Sequence, residues 1–173
     1  LPKFGEPLHK FGAITPSVCN LRPSSRGHVR IAGSDPLAAP RISCNYLSTD
    51  ADRLTAVRGL RMTRQIMAAP ALARYRPQEG LPGPDLTSAH DVHRAASELG
   101  TTIFHPVGTC AMGFFDAKGN PRSATAVLDT DCRVYRVAGL RVVDASAMPA
   151  ITSGNTNAPV MLTAERAARA ILA

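Results

Sequence analysis

The stretch HPVGTCAMG, residues 105–113, places a titratable imidazole in a run of small and apolar residues. Pro106 biases the residue before it toward an extended backbone, so the position of the His105 ring is firmly set. Gly108 permits a sharp turn and a close approach by another group. Since a free imidazole titrates at about pH 6.5, His105 can take a proton from a substrate at neutral pH. The alternative is a half-buried histidine that is hydrogen-bonded at a domain boundary.

A second polar stretch, SGNTNAP at residues 153–159, precedes residues with a helical pattern. Asn157 is the predicted N-cap, and Pro159 falls in the first turn, where a missing N–H costs little. The start of a helix has unpaired N–H groups and a partial positive charge, which suit an anionic or electron-accepting ligand. Asn155, just outside the helix, has an amide that can bind a substrate oxygen. A helix that is simply well capped explains the same residues.

The chain is basic, with a net charge of +7, but its arginines are scattered along 173 residues. A nucleic-acid-binding protein usually gathers its charge on one face and adds aromatic side chains for stacking. Here aromatics make up 5% and Trp is absent, so we expect no nucleic-acid partner. The spacing of Arg58, Arg61 and Arg64 predicts a solvated helix face.

No run of about 18 apolar residues is present, so we expect no transmembrane segment.

The cysteines, at positions 19, 44, 110 and 132, form no CxxC pair. This spacing favours buried free thiols in a reducing compartment. We expect a cytoplasmic location, and a membrane-peripheral one stays open. His90 and His93 are spaced as half of a metal site on a helix, but no third ligand follows at a suitable spacing. We therefore predict no metal.

The pattern of apolar, capping and breaking residues predicts a mixture of strands and helices. The predicted elements are two β segments within residues 12–33, a short strand around Arg41–Cys44, a helix capped by Ser48 or Thr49 and closed by Pro70, a helix from a cap at Thr87 or Ser88 to Gly100, a strand–turn–strand over 133–144 and a final helix over 158–172. Without a βαβ rhythm, this order indicates an α+β fold with an antiparallel or mixed sheet and flanking helices. Asp144, at the end of a strand that leads to a helix, resembles the edge of a nucleotide-binding sheet.

Four segments in order, RPSSRGHVRIAGSDPLAAPRISCNYL, HPVGTCAMG, GLRVVDASAMP and SGNTNAPVMLTAERAA, resemble the C-terminal region of the glucose–methanol–choline (GMC) flavoprotein oxidoreductases. The resemblance covers nearly the whole chain and is nearest to bacterial choline dehydrogenase-like alcohol dehydrogenases. It implies a substrate-binding domain portion in residues 1–103. Residues 104–173 would then hold the active-site segment and a C-terminal strand and helix of the FAD-binding domain. The chain starts at Leu1 and contains no GxGxxG, so we expect a fragment that lacks the N-terminal FAD-binding half and is inactive alone.

The resemblance also implies a chemistry, the FAD-dependent oxidation of a primary or similar alcohol, with choline-like alcohols within the class. By this resemblance, His105 would be the general base and Asn155 would hydrogen-bond the alcohol oxygen. Asp144 and Ala145 would contact the FAD chain. Asn157, Ala158 and Pro159 would face the flavin pyrimidine ring. The expected partners are a small-molecule alcohol and the missing N-terminal half. Two alternatives stay open: a hydroxynitrile lyase-type protein with a non-redox flavin, and a non-catalytic binding module.

Overall fold

The computed structural model describes residue 7, residues 9–114, 116, 118, 120 and 122–173. The chain divides into two compact units. The first contains the described residues up to Gly27 together with Arg41–Thr102, and the second contains His28–Pro40 and Ile103–Ala173.

Two helices form the first unit, and each begins at a predicted cap. Helix α1 spans Asp50–Met67, and the Thr49 hydroxyl accepts a hydrogen bond from the backbone N–H of Asp52 at 3.3 Å. Helix α2 spans Ala89–Leu99 after Ser88, whose hydroxyl accepts from the N–H of Asp91 at 3.0 Å. Gly100 ends α2 as predicted. Strand β2 is the expected short strand and spans Arg41–Ser43, while a 3-10 helix over Pro70–Tyr75 follows α1.

Helices α1 and α2 contact each other, and each buries apolar side chains, Val57 on α1 and Val92 and Ala95 on α2. The other face of α1 carries Gly59, where an added Cβ would lie 2.6 Å from a methyl carbon of Val18. Val18 therefore packs directly on the backbone of α1. The prediction of a β segment here is wrong, because this part of the chain lies against a helix and not beside a strand.

A buried carboxylate joins residues 20–25 to the start of α1. Asp52 is only 3% exposed, and its two carboxylate oxygens accept hydrogen bonds from Asn20, Ser24 and Ser25. Burial by itself raises the pKa of Asp52, but the hydrogen bonds from Ser24 and Ser25 outweigh it and hold the pKa well below its ordinary value. The residue is therefore ionised in the folded protein at neutral pH.

Arg64 on α1 corrects the prediction of a solvated arginine face. Its guanidinium donates two hydrogen bonds to the carboxylate of Glu79, at 2.8 Å and 3.0 Å. It also donates to the carbonyl oxygens of Gly83 and Leu86. Arg58 and Arg61 on the same helix are exposed, as predicted, so the correction applies to Arg64 alone. Arg64 thus holds the loop that follows the 3-10 helix against α1, a contact that helical spacing alone does not reveal.

The second unit contains strand β1, His28–Arg30, a 3-10 turn at Ala145–Ala147 and helix α3, Asn157–Leu172. Its buried apolar residues are Ala111, Ala126, Leu128, Cys132, Ala147, Met148 and Ala167. β1 was predicted to have one buried face, and this is wrong, because Val29 is exposed and Ile31, just beyond the strand, is 86% exposed.

The strand–turn–strand predicted for residues 133–144 is reduced to a single antiparallel bridge between Arg133 and Arg141. The turn between them is present and includes Gly139 at φ +75°. Leu128 makes a parallel bridge with Met112 and an antiparallel one with Val134, so the pairing is mixed. The predicted C-terminal strand is therefore absent from the described residues, since one bridge does not make a strand. Helices with two short strands confirm the α+β class in its coarse form.

All four cysteines are free, as expected, but only Cys132 is buried. Burial, with a smaller contribution from Asp129 and Asp131, raises the pKa of the Cys132 thiol. Cys19 and Cys44 are exposed, so the expectation of burial is wrong for both. Within the described part of the chain, no helix has the length and apolar character needed to cross a membrane.

Candidate active site

The HPVGTCAMG segment runs along the 3-10 turn that contains Ala147. The backbone N–H of Cys110 donates to the carbonyl of Ser146 at 3.0 Å, and that of Met112 donates to Ala147 at 2.9 Å. Ala147 is fully buried. These bonds place the two stretches that the sequence singled out, residues 105–113 and the region around Asp144, side by side in one unit.

Gly108 allows this close approach. Its φ is +87°, and a Cβ at this position would lie 3.3 Å from the carbonyl oxygen of Met148 and 3.8 Å from that of Pro149. Both the backbone conformation and the contact therefore disfavour a side chain. The sharp turn and close approach predicted from the sequence are confirmed.

His105 is half-buried and is held by a residue that the sequence analysis did not select. Its Nδ1 lies 3.1 Å from the hydroxyl oxygen of Thr156, within hydrogen-bonding distance. Thr156 is 7% exposed. One ring nitrogen, Nδ1, is therefore engaged by the protein.

Asn155 is exposed and immediately precedes Thr156. The bond between Thr156 and His105 thus links the imidazole to the residue that follows Asn155. The two stretches from which we inferred chemistry, fifty residues apart in sequence, are joined at this point.

Helix α3 begins at Asn157, which corrects the N-cap prediction. The cap is Thr156, with φ −85° and ψ −7°. No side-chain hydrogen bond caps α3 among the described residues, since the Thr156 hydroxyl faces His105. Asn157 and Ala158 are exposed, and Pro159 lies in the first turn as predicted.

Asp144 and Ala145 lie at the beginning of the 3-10 turn. The exposed Asp144 carboxylate accepts a hydrogen bond from the N–H of Ser146 at 2.7 Å and another from the Ser146 hydroxyl. Asp144 therefore shapes its own turn, and the carboxylate remains accessible to solvent.

Two residues of the site have a backbone conformation that non-glycine residues rarely adopt. Phe104, directly before His105, has φ +64°, and Ser153, two positions before Asn155, has φ +63°. Such conformations cost on the order of 1–3 kcal/mol and persist only where the surrounding structure enforces them. Their places beside both predicted catalytic residues indicate that the backbone here is determined by its surroundings.

The described residues contain no group of three His, Cys, Asp or Glu side chains that could bind a metal ion. His90 on α2 is 82% exposed and lies 3.7 Å from a carboxylate oxygen of Asp91. His93 contacts Ser97 on the same helix. Both histidines are thus helix-surface residues with local partners.

Thr156 is the residue that sequence reasoning missed. Its neighbours Asn155 and Asn157 have larger polar side chains and drew the assignments of substrate contact and helix cap. The available signal was its position directly before the helical pattern, because threonine is itself a frequent N-cap.

The fold and the site together define an α+β protein in which a half-buried histidine is held at the start of a helix whose first turn is exposed. The match to the model of the GMC oxidoreductase C-terminal domain covers residues 23–164. The chain belongs to the GMC oxidoreductase family.

Individual relatives agree with this assignment. The chain is 41% identical over 151 residues to an oxygen-dependent choline dehydrogenase of Chromohalobacter salexigens, covering 87% of this chain and 26% of that protein. It is 38% identical over 155 residues to an alcohol dehydrogenase [acceptor] of Pseudomonas putida, covering 90% and 27%. Among solved structures, an FAD-dependent oxidoreductase from Chaetomium thermophilum matches with a TM-score of 0.77 and 33% identity, covering 87% and 25%.

The chain thus spans about a quarter of the length of these relatives. The predicted family, its class as oxidoreductases that act on CH–OH groups, and FAD as its cofactor are confirmed.

Proposed function

We propose that this chain is the substrate-domain portion and flavin-facing C-terminal part of an FAD-dependent alcohol dehydrogenase or oxidase. The observation that carries the proposal is the hydrogen bond between His105 and Thr156, because it joins the HPVG turn to the residue beside Asn155. The proton acceptor, His105, and the amide of Asn155 therefore belong to two segments of the same compact unit.

His105 acts as the general base. With Nδ1 engaged by Thr156, its Nε2 takes the hydroxyl proton of the alcohol. FAD, when bound, would supply the hydride acceptor that the conversion of the alcohol to a carbonyl compound requires. The amide of Asn155 donates a hydrogen bond to the substrate oxygen and stabilises its developing negative charge. Because both groups are placed before the substrate arrives, orientation contributes to the rate.

The first turn of α3 suits one edge of a flavin. The N–H groups of Asn157 and Ala158 have no side-chain cap among the described residues, and both residues are exposed. Unpaired N–H groups at the positive end of a helix stabilise an acceptor that gains negative charge. We assign Asn157, Ala158 and Pro159 to the pyrimidine side of the flavin, and Asp144 and Ala145 to the FAD chain.

The larger part of the cofactor site would come from an N-terminal FAD-binding half that is not within these 173 residues. Exposed apolar side chains support this partner: in the second unit, Ile31 and Leu37 are 86% and 92% exposed, and Leu172 is 88% exposed. Isolated exposed apolar residues are common, but Val29, Ile31 and Leu37 are all exposed within residues 29–37, and such a group is typical of a surface that another part of the protein covers. We assign residues 1–103 to the substrate-binding domain and residues 104–173 to the active-site segment and the return to the FAD-binding domain.

A primary or similar alcohol is the proposed substrate, and choline-like alcohols belong to the class. The support is the identity of about 40% to proteins named choline dehydrogenase and alcohol dehydrogenase. A cytoplasmic location is proposed as well, because free thiols such as Cys19 and Cys44 persist in reducing compartments.

The test is anaerobic flavin reduction by an alcohol in the full-length protein, followed by flavin absorbance. We expect His105→Ala to lower the rate constant for reduction by about 10²- to 10⁴-fold, the usual contribution of a general base. His90→Ala, at an exposed histidine of α2, is the matched control and leaves the rate unchanged. Equal rates for wild type and His105→Ala would refute the assigned base. Product formation with the flavin still oxidised would instead indicate the lyase chemistry.

A further inference from the structure

Thr156 has one polar side-chain group, and the structure shows where it is used. The residue occupies the cap position of α3, where threonine commonly accepts a hydrogen bond from an N–H of the first turn. In this structure its hydroxyl instead lies 3.1 Å from Nδ1 of His105, and the side chain is almost completely buried. The favourable interaction of a helix cap has been replaced by a contact with the imidazole.

This contact engages Nδ1 of the ring. A neutral imidazole has one N–H donor and one lone pair, and a hydroxyl can pair with either of them. A base that takes a proton at Nε2 must carry its own hydrogen on Nδ1, and that N–H then donates to the Thr156 oxygen. After proton uptake the Nδ1–H is still present, so the same hydrogen bond persists in the imidazolium. The hydroxyl therefore serves both protonation states without rearrangement.

We propose that Thr156 is a positioning residue that orients the His105 ring and, by accepting a hydrogen bond from Nδ1–H, favours the tautomer with its lone pair on Nε2. This inference rests on the proposed function of His105 as base. It also explains the arrangement of the site. Because Asn155 and Thr156 are consecutive, the backbone that positions the imidazole also positions the amide that binds the substrate oxygen. Pro106 and the turn at Gly108 set the backbone of His105 from the other side.

The variants Thr156→Val and Thr156→Ser separate the hydroxyl from the shape of the side chain. Valine keeps the branched form and removes the hydroxyl, whereas serine keeps the hydroxyl and loses only a methyl group. In the full-length, FAD-loaded protein, we expect Thr156→Val to lower kcat by about 5- to 10-fold, the equivalent of one ordinary hydrogen bond. KM should change by less than about twofold, because the hydroxyl contacts the base and not the substrate. Thr156→Ser should keep kcat within about twofold of wild type.

A spectroscopic readout tests the tautomer directly and does not depend on turnover. The ring nitrogens of selectively ¹⁵N-labelled histidine report which one carries hydrogen, and a His105→Asn difference spectrum assigns the signals of His105. We expect the Nδ1–H form in wild type and in Thr156→Ser, and a mixture of tautomers in Thr156→Val. The same tautomer distribution in all three proteins, or equal losses of kcat in the valine and serine variants, would overturn the proposal. If His105→Ala retains full activity while the tautomer still follows the hydroxyl, the function of His105 as base fails but the positioning by Thr156 stands.

Discussion

The hydroxyl of Thr156 lies 3.1 Å from Nδ1 of His105, although 51 positions separate the two residues in the sequence. Thr156 is the cap residue of α3, and His105 lies three positions before Gly108, whose φ is +87°. One side-chain hydrogen bond therefore connects the two elements from which we assign the chemistry.

Gly108 should not tolerate a side chain. In Gly108→Ala, the new Cβ meets the Met148 carbonyl at 3.3 Å in a backbone with φ +87°. The positive φ alone costs about 1–2 kcal/mol in the free energy of unfolding, and the contact adds to it. Gly139→Ala is the matched control, because Gly139 has φ +75° and no atom within 4 Å of an added Cβ. We expect urea denaturation to show a larger loss for Gly108→Ala, together with a fall in alcohol oxidation that Gly139→Ala does not share. Equal effects of the two changes would contradict this explanation of the turn.

Asp52 should stabilise the fold in a pH-dependent manner. Removing its charge with Asp52→Asn leaves the donors from Ser24 and Ser25 poorly matched, at a cost of about 1–3 kcal/mol at pH 7. Because its pKa is lowered in the folded state, the stabilisation is fully present above about pH 4, where the unfolded residue is also ionised. It is lost progressively as the pH falls below that value.

The measurement for Asp52 is the difference in unfolding free energy between wild type and variant at pH 7 and at pH 3. We expect a smaller difference at pH 3. Asp50→Asn is the control, since Asp50 lies in the same turn of α1 but its side chain is 98% exposed, and it should change stability by less than about 0.5 kcal/mol. A difference that grows toward acid pH would mean that the carboxylate is not stabilising as an anion.

The helices could be predicted from the sequence because their boundaries are local. Thr49, Ser88 and Gly100 act within one turn of the residues that they cap, so short stretches of sequence suffice. The strands could not be predicted as well, since a strand depends on its neighbours. Val18, in a predicted β segment, packs on Gly59 of α1, about forty positions away in the chain.

In the candidate site, too, local features could be predicted from the sequence and long-range contacts could not. The turn at Gly108 and the helix that includes Pro159 follow from residue types, and the structure has both. The cap of α3 was assigned to Asn157 from local preference, because the histidine that engages the Thr156 hydroxyl lies far away in the sequence. Local rules identify the residues capable of chemistry, but they do not identify the residues that hold them.

Arg64 should contribute to stability through its geometry as well as its charge. Lysine in its place keeps the charge but cannot donate two bonds to Glu79 and reach the carbonyls of Gly83 and Leu86 at once. We expect Arg64→Lys to lower the free energy of unfolding by about 1–3 kcal/mol. Arg58→Lys, at an exposed position of the same helix, should have little effect. Thermal denaturation of both variants checks this prediction, which a neutral Arg64→Lys would disprove.

The 173-residue chain by itself should bind FAD weakly and oxidise no alcohol. The proposed contacts from this chain reach the flavin from one side, whereas a family member also needs a site for the adenine and the pyrophosphate. The purified chain, mixed with FAD and passed through a desalting column, should be colourless and inactive. A yellow chain that reduces its flavin with an alcohol would show that no further FAD-binding part is required.

The central claim is that the imidazole of His105 and the amide of Asn155 bind the same substrate oxygen. A crystal structure of the full-length, FAD-loaded protein with a substrate analogue that carries an alcohol or carboxylate oxygen measures this directly. The account predicts that His105 Nε2 and the Asn155 amide nitrogen both lie within about 3.2 Å of that oxygen, with Nδ1 still bonded to Thr156. An intact site in which either group points away from the bound oxygen would contradict it.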